Sequence, residues 1–167
     1  MAYGVMPYLI AKETLDKIYG SKKKEYINEV IEEKSEIIEE LEDLFDEDPV
    51  DYIKDLVYGS IKHEDGGLYG YSLEMIFDVY GEMLDNDYWY PTDCWYTLDE
   101  ALINDLPYDL PEPDDFPIYR VIMPENMEPI IEEINNLDEI PNEAKKQVID
   151  WLKLGIKTNK ILGLFYY

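Results

Sequence analysis

The string His63-Glu64-Asp65, which holds the only histidine of the chain, has the residue types for general-base catalysis or metal binding. Imidazole and carboxylate groups serve in both roles. Zinc sites usually take about four ligands from His, Cys and carboxylate side chains, and this chain has one histidine and one cysteine. We therefore expect no zinc site here, and we assign no catalytic residue and no cofactor.

Two further places have residue types for chemistry. The cluster of Asp85, Asn86 and Asp87 offers oxygen ligands, but the Asp-x-Asp-x-Asp-Gly spacing and the closing Glu of a calcium loop are missing. A loosely bound cation is the most that this cluster predicts. Cys94 lies in an acidic stretch, where negative charge disfavours the reactive thiolate. We assign no metal ligand and no nucleophile.

Acidic residues dominate the stretch from His63 to Tyr119, whose 57 positions contain fifteen Asp and Glu residues and no Lys or Arg. Within it, segments 88–96 and 108–116 combine carboxylates with aromatic residues. Tyr and Trp dominate binding hot spots, and the carboxylates around them would attract a basic partner. The predicted partner-binding residues are Tyr88, Trp89, Asp93, Trp95, Tyr108, Asp109, Glu112, Asp114 and Asp115. The alternative is that the rings of Trp89, Trp95 and Phe116 fill the core.

The charge balance excludes several classes of function. Fourteen basic and thirty-nine acidic side chains leave a formal net charge of -25, which repels phosphate backbones and anionic membrane surfaces over about 8 to 10 Å. We therefore expect no direct nucleic-acid binding and no membrane binding. In addition, no apolar run approaches the roughly 20 residues of a membrane-spanning helix. A single cysteine and a start without a secretion signal favour a reducing cytoplasm.

Composition and periodicity predict the fold class α+β. A chain of 167 residues with 46% apolar side chains and sixteen Tyr suits a single folded domain over residues 1–167. We expect a small, mainly antiparallel or mixed sheet of about three strands (2–10, 118–123 and 161–167) packed with five to seven helices. Pro7 cannot donate to a ladder and places the first strand at an edge. The uncharged run 161–167 predicts a central strand buried on both faces.

Two segments have the strongest helical patterns. From Lys22 to Phe45 the apolar residues recur at intervals of three and four, which predicts one long helix with an outer face of Glu. The glycines and tyrosines from Gly66 to Tyr71 predict a turn that runs into a core helix, Ser72 to Leu84. We expect this turn to lie near the two acidic aromatic segments.

Four landmarks punctuate the chain. They are Tyr19-Gly20-Ser21, Tyr69-Gly70-Tyr71, the segment Pro111-Glu112-Pro113-Asp114-Asp115-Phe116-Pro117 and the closing Gly163-Leu164-Phe165-Tyr166. In these landmarks the chain resembles, over nearly its whole length, an uncharacterised bacterial family of small proteins described only as a domain of unknown function. The resemblance implies an α+β domain and a bacterial or phage-related source, and it brings no catalytic residue.

Charge and aromatic residues together favour a non-enzymatic binding protein that neutralises a basic protein surface, as the immunity partner of a bacterial toxin does. A second hypothesis is a nucleic-acid mimic of phage or defence type, which needs carboxylates spaced like phosphates along one face. A third is an enzyme that uses carboxylates with a divalent cation, which needs a concave acidic site.

Overall fold

The computed structural model describes residues 4–89 and 94–167, and an antiparallel sheet lies at its centre. The strands among these residues are β1 (Val5–Ala11), β2 (Glu82–Met83), β3 (Ile118–Ile122) and β4 (Lys160–Tyr166). Their order across the sheet is β2-β1-β4-β3, and each neighbouring pair is antiparallel. The predicted α+β class is confirmed, but the sheet has four strands where three were expected.

Helices account for more of the chain than strands do. Those in the described residues are α1 (Lys12–Ile18), α2 (Lys24–Glu33), α3 (Ser35–Leu44), α4 (Pro49–Tyr58), α5 (Gly66–Tyr80), α6 (Cys94–Asp99), α7 (Met127–Asn135) and α8 (Asn142–Thr158). A 3-10 turn, Pro124–Asn126, precedes α7. None of these helices combines the length and the apolar character that crossing a bilayer requires.

Alternating side chains give the sheet two buried faces. In β4, Ile161 and Phe165 belong to one core cluster, whereas Leu162 and Leu164 belong to the other. Helices α1 to α5 cover the first face, and α6 to α8 cover the second. Successive side chains of a strand point to opposite faces, so a strand covered on both sides needs apolar residues throughout. The central, doubly buried position predicted for the C-terminal run is confirmed.

The prediction that Pro7 places β1 at an edge is wrong. β1 pairs with β4 along its whole length and with β2 at Tyr8 and Leu9. The carbonyl of Pro7 accepts a hydrogen bond from the backbone N–H of Leu84 at 2.8 Å, so the proline nitrogen also faces the β2 side. Because the proline nitrogen faces the short strand β2 and not β4, its missing N–H leaves the long β1–β4 ladder intact.

The single helix predicted from Lys22 to Phe45 is in fact two helices divided at Lys34. This residue has φ -119° and ψ 21° and lies between α2 and α3. The spacing of apolar residues conceals the break because both halves bury residues at helical intervals, such as Val30 in α2 and Ile38 in α3. The division also raises the number of helices above the predicted five to seven.

Helix α5 begins at Gly66, so the turn predicted from Gly66 to Tyr71 is the first part of the core helix. Asp65 caps the helix, because its carboxylate accepts from the backbone N–H of Leu68 at 3.0 Å. Glycine is required by close packing, since a Cβ on Gly66 would lie 2.5 Å from the carbonyl of Glu112. The glycines therefore occur here because a neighbouring segment packs closely against the helix, and they do not mark a turn.

Strand β2 has no pattern that a sequence reading detects, because two residues show no periodicity. Helix α5 ends at Tyr80, earlier than predicted. A Cβ on Gly81 would stand 2.7 Å from the carbonyl oxygen of Leu9, so glycine allows the chain to approach β1. This approach lets Glu82 and Met83 pair with β1.

Gly163, in the middle of β4, should not tolerate a side chain. A Cβ there would lie 2.5 Å from Cε1 of Phe77, whose ring packs on the sheet from α5. We expect Gly163→Ala to lower the free energy of unfolding by about 2 to 3 kcal/mol, because overpacking displaces core groups. Urea unfolding of the purified chain measures this change.

Phe77→Leu provides the control, since it shortens the side chain that Gly163→Ala would meet. The double variant should be more stable than the sum of the single effects predicts, by about 1 kcal/mol. Strictly additive effects would contradict the direct contact between these two residues.

Candidate functional site

An acidic cleft of about 360 Å³ lies where the loop before α5 meets the segment before β3. Its walls carry four carboxylates, Glu64 and Asp65 from the loop and Asp114 and Asp115 from the segment, with Phe45 beside them. Within the described part of the chain, no cation forms an ion pair with any of these four carboxylates. The cleft therefore concentrates negative charge that internal ion pairs do not offset.

Close packing against α5 holds the segment 111–117 at one side of the cleft. A Cβ on Gly70 would lie 2.8 Å from Cγ of Pro117, so only glycine lets the segment approach the helix this closely. Asp114 and Asp115 belong to this segment and are both exposed. The start of α5 therefore determines where the two carboxylates lie.

The buried carboxylate of Asp55 organises the loop on the other side of the cleft. Its Oδ2 accepts from the hydroxyl of Tyr69 at 2.6 Å and from the backbone N–H of Lys62 at 2.9 Å, and it lies 2.8 Å from Nδ1 of His63. Burial acts to raise the pKa of Asp55, but the hydrogen bonds from Tyr69, His63 and Lys62 outweigh it and hold the pKa below its ordinary value.

His63, the one histidine considered as a general base, is held within this network. Its ring lies 4.7 Å from the ring of Tyr52, and its backbone N–H donates to the hydroxyl of Tyr69 at 3.2 Å. This arrangement orders the loop that carries Glu64 and Asp65 to the cleft. In residues 4–89 and 94–167, no group of three or more His, Cys, Asp or Glu side chains is arranged to hold a metal ion.

An apolar groove of about 330 Å³ lies beside the acidic cleft, among α3, α5 and the β1–β2 edge. Ile37 and Leu44 of α3 and Met83 of β2 line it, and these side chains are 40%, 66% and 49% exposed. Met6 and Met75 add flexible thioether side chains to its walls. Exposed apolar side chains around one concave surface are typical of a binding site.

Glu74 places a carboxyl group in this groove. Its Oε1 accepts from the hydroxyl of Tyr8 at 3.1 Å, and its Oε2 accepts from the hydroxyl of Tyr167. Burial raises the pKa of Glu74 to about 7, although the two tyrosine hydrogen bonds act to lower it. Lys34, which also lines the groove, forms its ion pair with Asp78. Among the described residues, Glu74 therefore has hydroxyl partners and no ion pair.

Tyr71 and Tyr167 separate the apolar groove from the acidic cleft. Both residues line both cavities, and their ring centroids are 5.7 Å apart. The carboxyl group of Glu74 and the four carboxylates of the cleft therefore lie on either side of one pair of rings. A ligand that combines apolar and positively charged groups matches this arrangement.

The structure brings part of the predicted partner-binding set to this site. Asp114 and Asp115 line the cleft beside the first residues of α5, as expected from the predicted proximity to the glycine-rich segment. Asp109 and Glu112, a few positions before Asp114 in the chain, are also exposed. Tyr108 is half-buried, with its ring 5.1 Å from that of Tyr19, and burial raises its pKa to about 12. Tyr108 is therefore a packing residue on the α1 to α5 side.

Trp89 and Trp95 of the other predicted aromatic segment lie on the opposite face of the sheet. Trp89 and Trp95 are fully buried in the core cluster under α6 to α8, and Nε1 of Trp89 donates to the carbonyl of Ala144 at 2.8 Å. Neither indole is therefore an exposed anchor. Tyr88 is 52% exposed, and Asp93 lies outside the described residues. Trp95 nevertheless approaches the acidic segment, because it stacks on the ring of Tyr166 at 4.7 Å and Phe116, the residue after Asp115, packs on the same ring at 5.6 Å.

Glu74 and the apolar groove are features that the sequence analysis does not identify. Glu74 and Asp78 stand four positions apart in an otherwise apolar helix, and both line the groove. Two carboxylates on one side of such a helix are the available sequence signal. Tyr167, which binds Glu74, is 93 positions away, so no local pattern reveals the pair.

Comparison with known proteins gives a family and no activity. A family model described as a domain of unknown function, DUF7691, matches residues 1–167. No curated protein and no solved structure matches the chain. The cleft and the groove are therefore the features of the chain that bear on its function.

Asp55→Asn should destabilise the fold. The amide carries no charge, and its N–H groups cannot accept the hydrogen bonds that the Lys62 N–H and the Tyr69 hydroxyl donate to Asp55. We expect the free energy of unfolding to fall by about 2 to 4 kcal/mol, since buried donors lose their partner. The control is Asp51→Asn in the same helix, whose exposed ion pair with Lys54 should contribute less than about 1 kcal/mol. Equal losses in urea unfolding would contradict the role of Asp55.

Glu74 should make the protein more stable at mildly acidic pH. Its pKa in the folded protein, about 7, lies above the ordinary value of 4.5, so between these values the folded state binds a proton that the unfolded state lacks. This stabilisation is complete below the ordinary pKa and is lost as pH rises through the folded pKa. From about pH 7.5 to about pH 5.5 we expect a gain of about 2 kcal/mol in urea unfolding.

Glu74→Gln is the control for this pH dependence, because it removes the titrating group and keeps one acceptor oxygen. The variant should gain about 2 kcal/mol less than the wild type over the same pH interval. If both proteins respond equally, the pH dependence belongs to other carboxylates.

Proposed function

Because the chain belongs to the family DUF7691, whose description states no activity, we propose from its geometry that it is a non-enzymatic protein that binds and neutralises a basic protein partner. The observation that supports this most is the junction of the acidic cleft and the apolar groove at Tyr71 and Tyr167. A partner segment with Lys or Arg beside an apolar side chain would fill both cavities. Lys or Arg contacts the cleft, and an apolar part of the same segment enters the groove.

The distribution of charge supports a basic partner. A net charge of -25 accelerates the approach of a positively charged protein. Several other carboxylates are offset within the fold, such as Asp78 by Lys34 and Asp99 by Arg120, whose Nε is 2.8 Å from the carboxylate. The cleft carboxylates have no such ion pair among the described residues, and they adjoin the exposed apolar side chains of the groove, so they are well placed to attract a partner.

The apolar groove supplies the binding energy that exposed charges do not. An exposed ion pair contributes about 0.2 to 1 kcal/mol, whereas burying one Leu-sized or Met-sized side chain contributes about 1.5 to 3 kcal/mol. Leu44, at 66% exposure, has much apolar surface to bury. We therefore assign steering to the cleft and most of the affinity to the groove.

We extend the proposal to an immunity role, with a bacterial or phage-related source and a cytoplasmic setting. A toxin that acts on nucleic acid presents a basic surface, because its substrate is a polyanion. An acidic protein with an apolar anchor can cover such a surface. The single cysteine of the chain fits a reducing compartment.

A nucleic-acid mimic is the second candidate, and the outer face of α2 and α3 favours it. The exposed carboxylates of these helices are Glu25, Glu29, Glu32, Glu33, Glu36, Glu39, Glu40, Glu42 and Asp43. A mimic would bind a nucleic-acid channel through these helices and would depend little on the cleft. Charge changes on the two surfaces therefore distinguish the candidates. The third hypothesis, a cation-dependent enzyme, has no metal-binding group of described residues to support it.

A selection from a random peptide library, displayed on phage and carried out at low salt, tests the proposal. We expect it to recover peptides in which Lys or Arg stands next to apolar residues. Their affinity for Asp114→Asn/Asp115→Asn should be about fivefold to thirtyfold lower than for the wild type, if each lost ion pair costs about 0.5 to 1 kcal/mol. Isothermal titration calorimetry measures the affinities.

Matched variants on the other layer are the controls. Glu132→Gln/Glu133→Gln changes the net charge by the same amount on exposed positions of α7. Leu154→Gln makes the same substitution at an exposed position of α8 that Leu44→Gln makes in the groove. Only the cleft and groove variants should weaken binding. Equal weakening by the control variants, or no recovery of basic peptides, would sink the proposal, and dependence on α2 and α3 instead would favour the mimic.

A further inference from the structure

Glu74 is a carboxyl group in an apolar groove, and it lacks a cation of its own among the described residues. Each of its oxygens accepts one tyrosine hydroxyl, from Tyr8 and from Tyr167. An ionised carboxylate offers about four lone-pair positions. Each oxygen therefore keeps capacity for a further donor, and the tyrosines hold both oxygens in fixed positions.

The groove walls suit an aliphatic chain that leads to this carboxyl group. Met6, Ile37 and Met75 line a volume of about 330 Å³ that also holds Glu74. Methionine side chains adapt to the shape of an apolar ligand. Lys and Arg side chains combine an aliphatic stem with a cationic head, and they bury the stem while the head keeps a polar partner.

We propose that the apolar groove receives the side chain of a Lys or Arg residue of the basic partner, with its stem against the methionines and its positive charge on Glu74. This inference rests on the proposed function and deepens it, because it names the group that enters the groove. Lys34 does not already serve this purpose, since its ammonium group is paired with Asp78. The incoming cation would add a direct ion pair to the weaker attraction that Lys34 already exerts on Glu74.

Binding of the cation should depend on pH through Glu74. The titratable and charged groups that line the groove with it are Tyr8 from β1, Lys34 between α2 and α3, Glu40 from α3, Tyr71 and Asp78 from α5, and Tyr167 after β4. Burial raises the pKa of Tyr8, Tyr71 and Tyr167, which therefore remain hydroxyl donors at neutral pH. Glu74 ionises near pH 7, so the cation should bind better as pH rises from about 6 to about 8.

Small ligands test the groove without knowledge of the partner. The full chain, labelled with ¹³C at its methionine methyl groups, is titrated with n-hexylamine, n-hexylguanidine and 1-hexanol and followed by NMR. Met6, Met75 and Met83 line the groove and report binding there. Met127 is fully buried in the other core cluster and serves as the internal control. The two cationic ligands distinguish Lys from Arg, and the alcohol matches their apolar part without charge.

At about pH 8 we expect at least one cationic ligand to bind about tenfold more tightly than 1-hexanol, with shifts at the three groove methionines and none at Met127. This preference should fall about tenfold at pH 6, where about a tenth of a group with this pKa is ionised. It should disappear in Glu74→Gln and persist in Asp114→Asn/Asp115→Asn. The pH series uses the wild type alone, so it tests the inference even if Glu74→Gln fails to fold.

The inference is overturned if 1-hexanol binds as tightly as both cations at pH 8, if neither cation shifts the groove methionines, or if the preference survives in Glu74→Gln. Those outcomes leave the acidic cleft and the peptide experiment untouched. Conversely, peptide binding that ignores the cleft and groove variants overturns the proposed function even when hexylamine binds at Glu74. The two failures are therefore separate.

Discussion

The burial of β4 on both faces is the constraint on which the rest of the structure depends. This strand lies between β1 and β3, and its side chains enter both core clusters. Neither face can be left to water, so helices must cover each one, and Gly163 makes room for the ring of Phe77 on one side. Both candidate cavities lie beside Tyr167, directly after β4, where this cover ends.

The site combines features that are unfavourable for an isolated fold. The four cleft carboxylates lie together without an internal ion pair among the described residues. The rise in the pKa of Glu74 from 4.5 to about 7 corresponds to about 3 kcal/mol against its ionised form. Close packing at Gly66 and Gly70 and the hydrogen bonds of Asp55 hold these groups in place. A positively charged ligand would relieve both electrostatic costs, which connects the stability of the fold to its proposed function.

Net charge alone does not locate a binding surface on this protein. Acidic residues are widespread, but those near Lys34, Arg120 and Lys160 are offset by an ion pair in three dimensions. Each of these cations lies outside the stretch from His63 to Tyr119 that contains no Lys or Arg. Folding thus divides one acidic stretch into carboxylates with a cation and carboxylates without one. Four members of the second group, Glu64, Asp65, Asp114 and Asp115, gather at the cleft, next to the apolar groove with its exposed side chains of α3.

The sequence by itself determined the α+β class and the central position of residues 161–167. These features follow from side-chain periodicity and from an uninterrupted apolar run, which are local properties. Only the tertiary structure decided that Trp89 and Trp95 are core residues on the far side of the sheet, that Lys34 divides a helix, and that Glu74 meets Tyr167 across 93 positions. Burial, close approach at a glycine and the choice of a charge partner depend on which distant segment packs alongside, and residue spacing in one sequence does not contain that information.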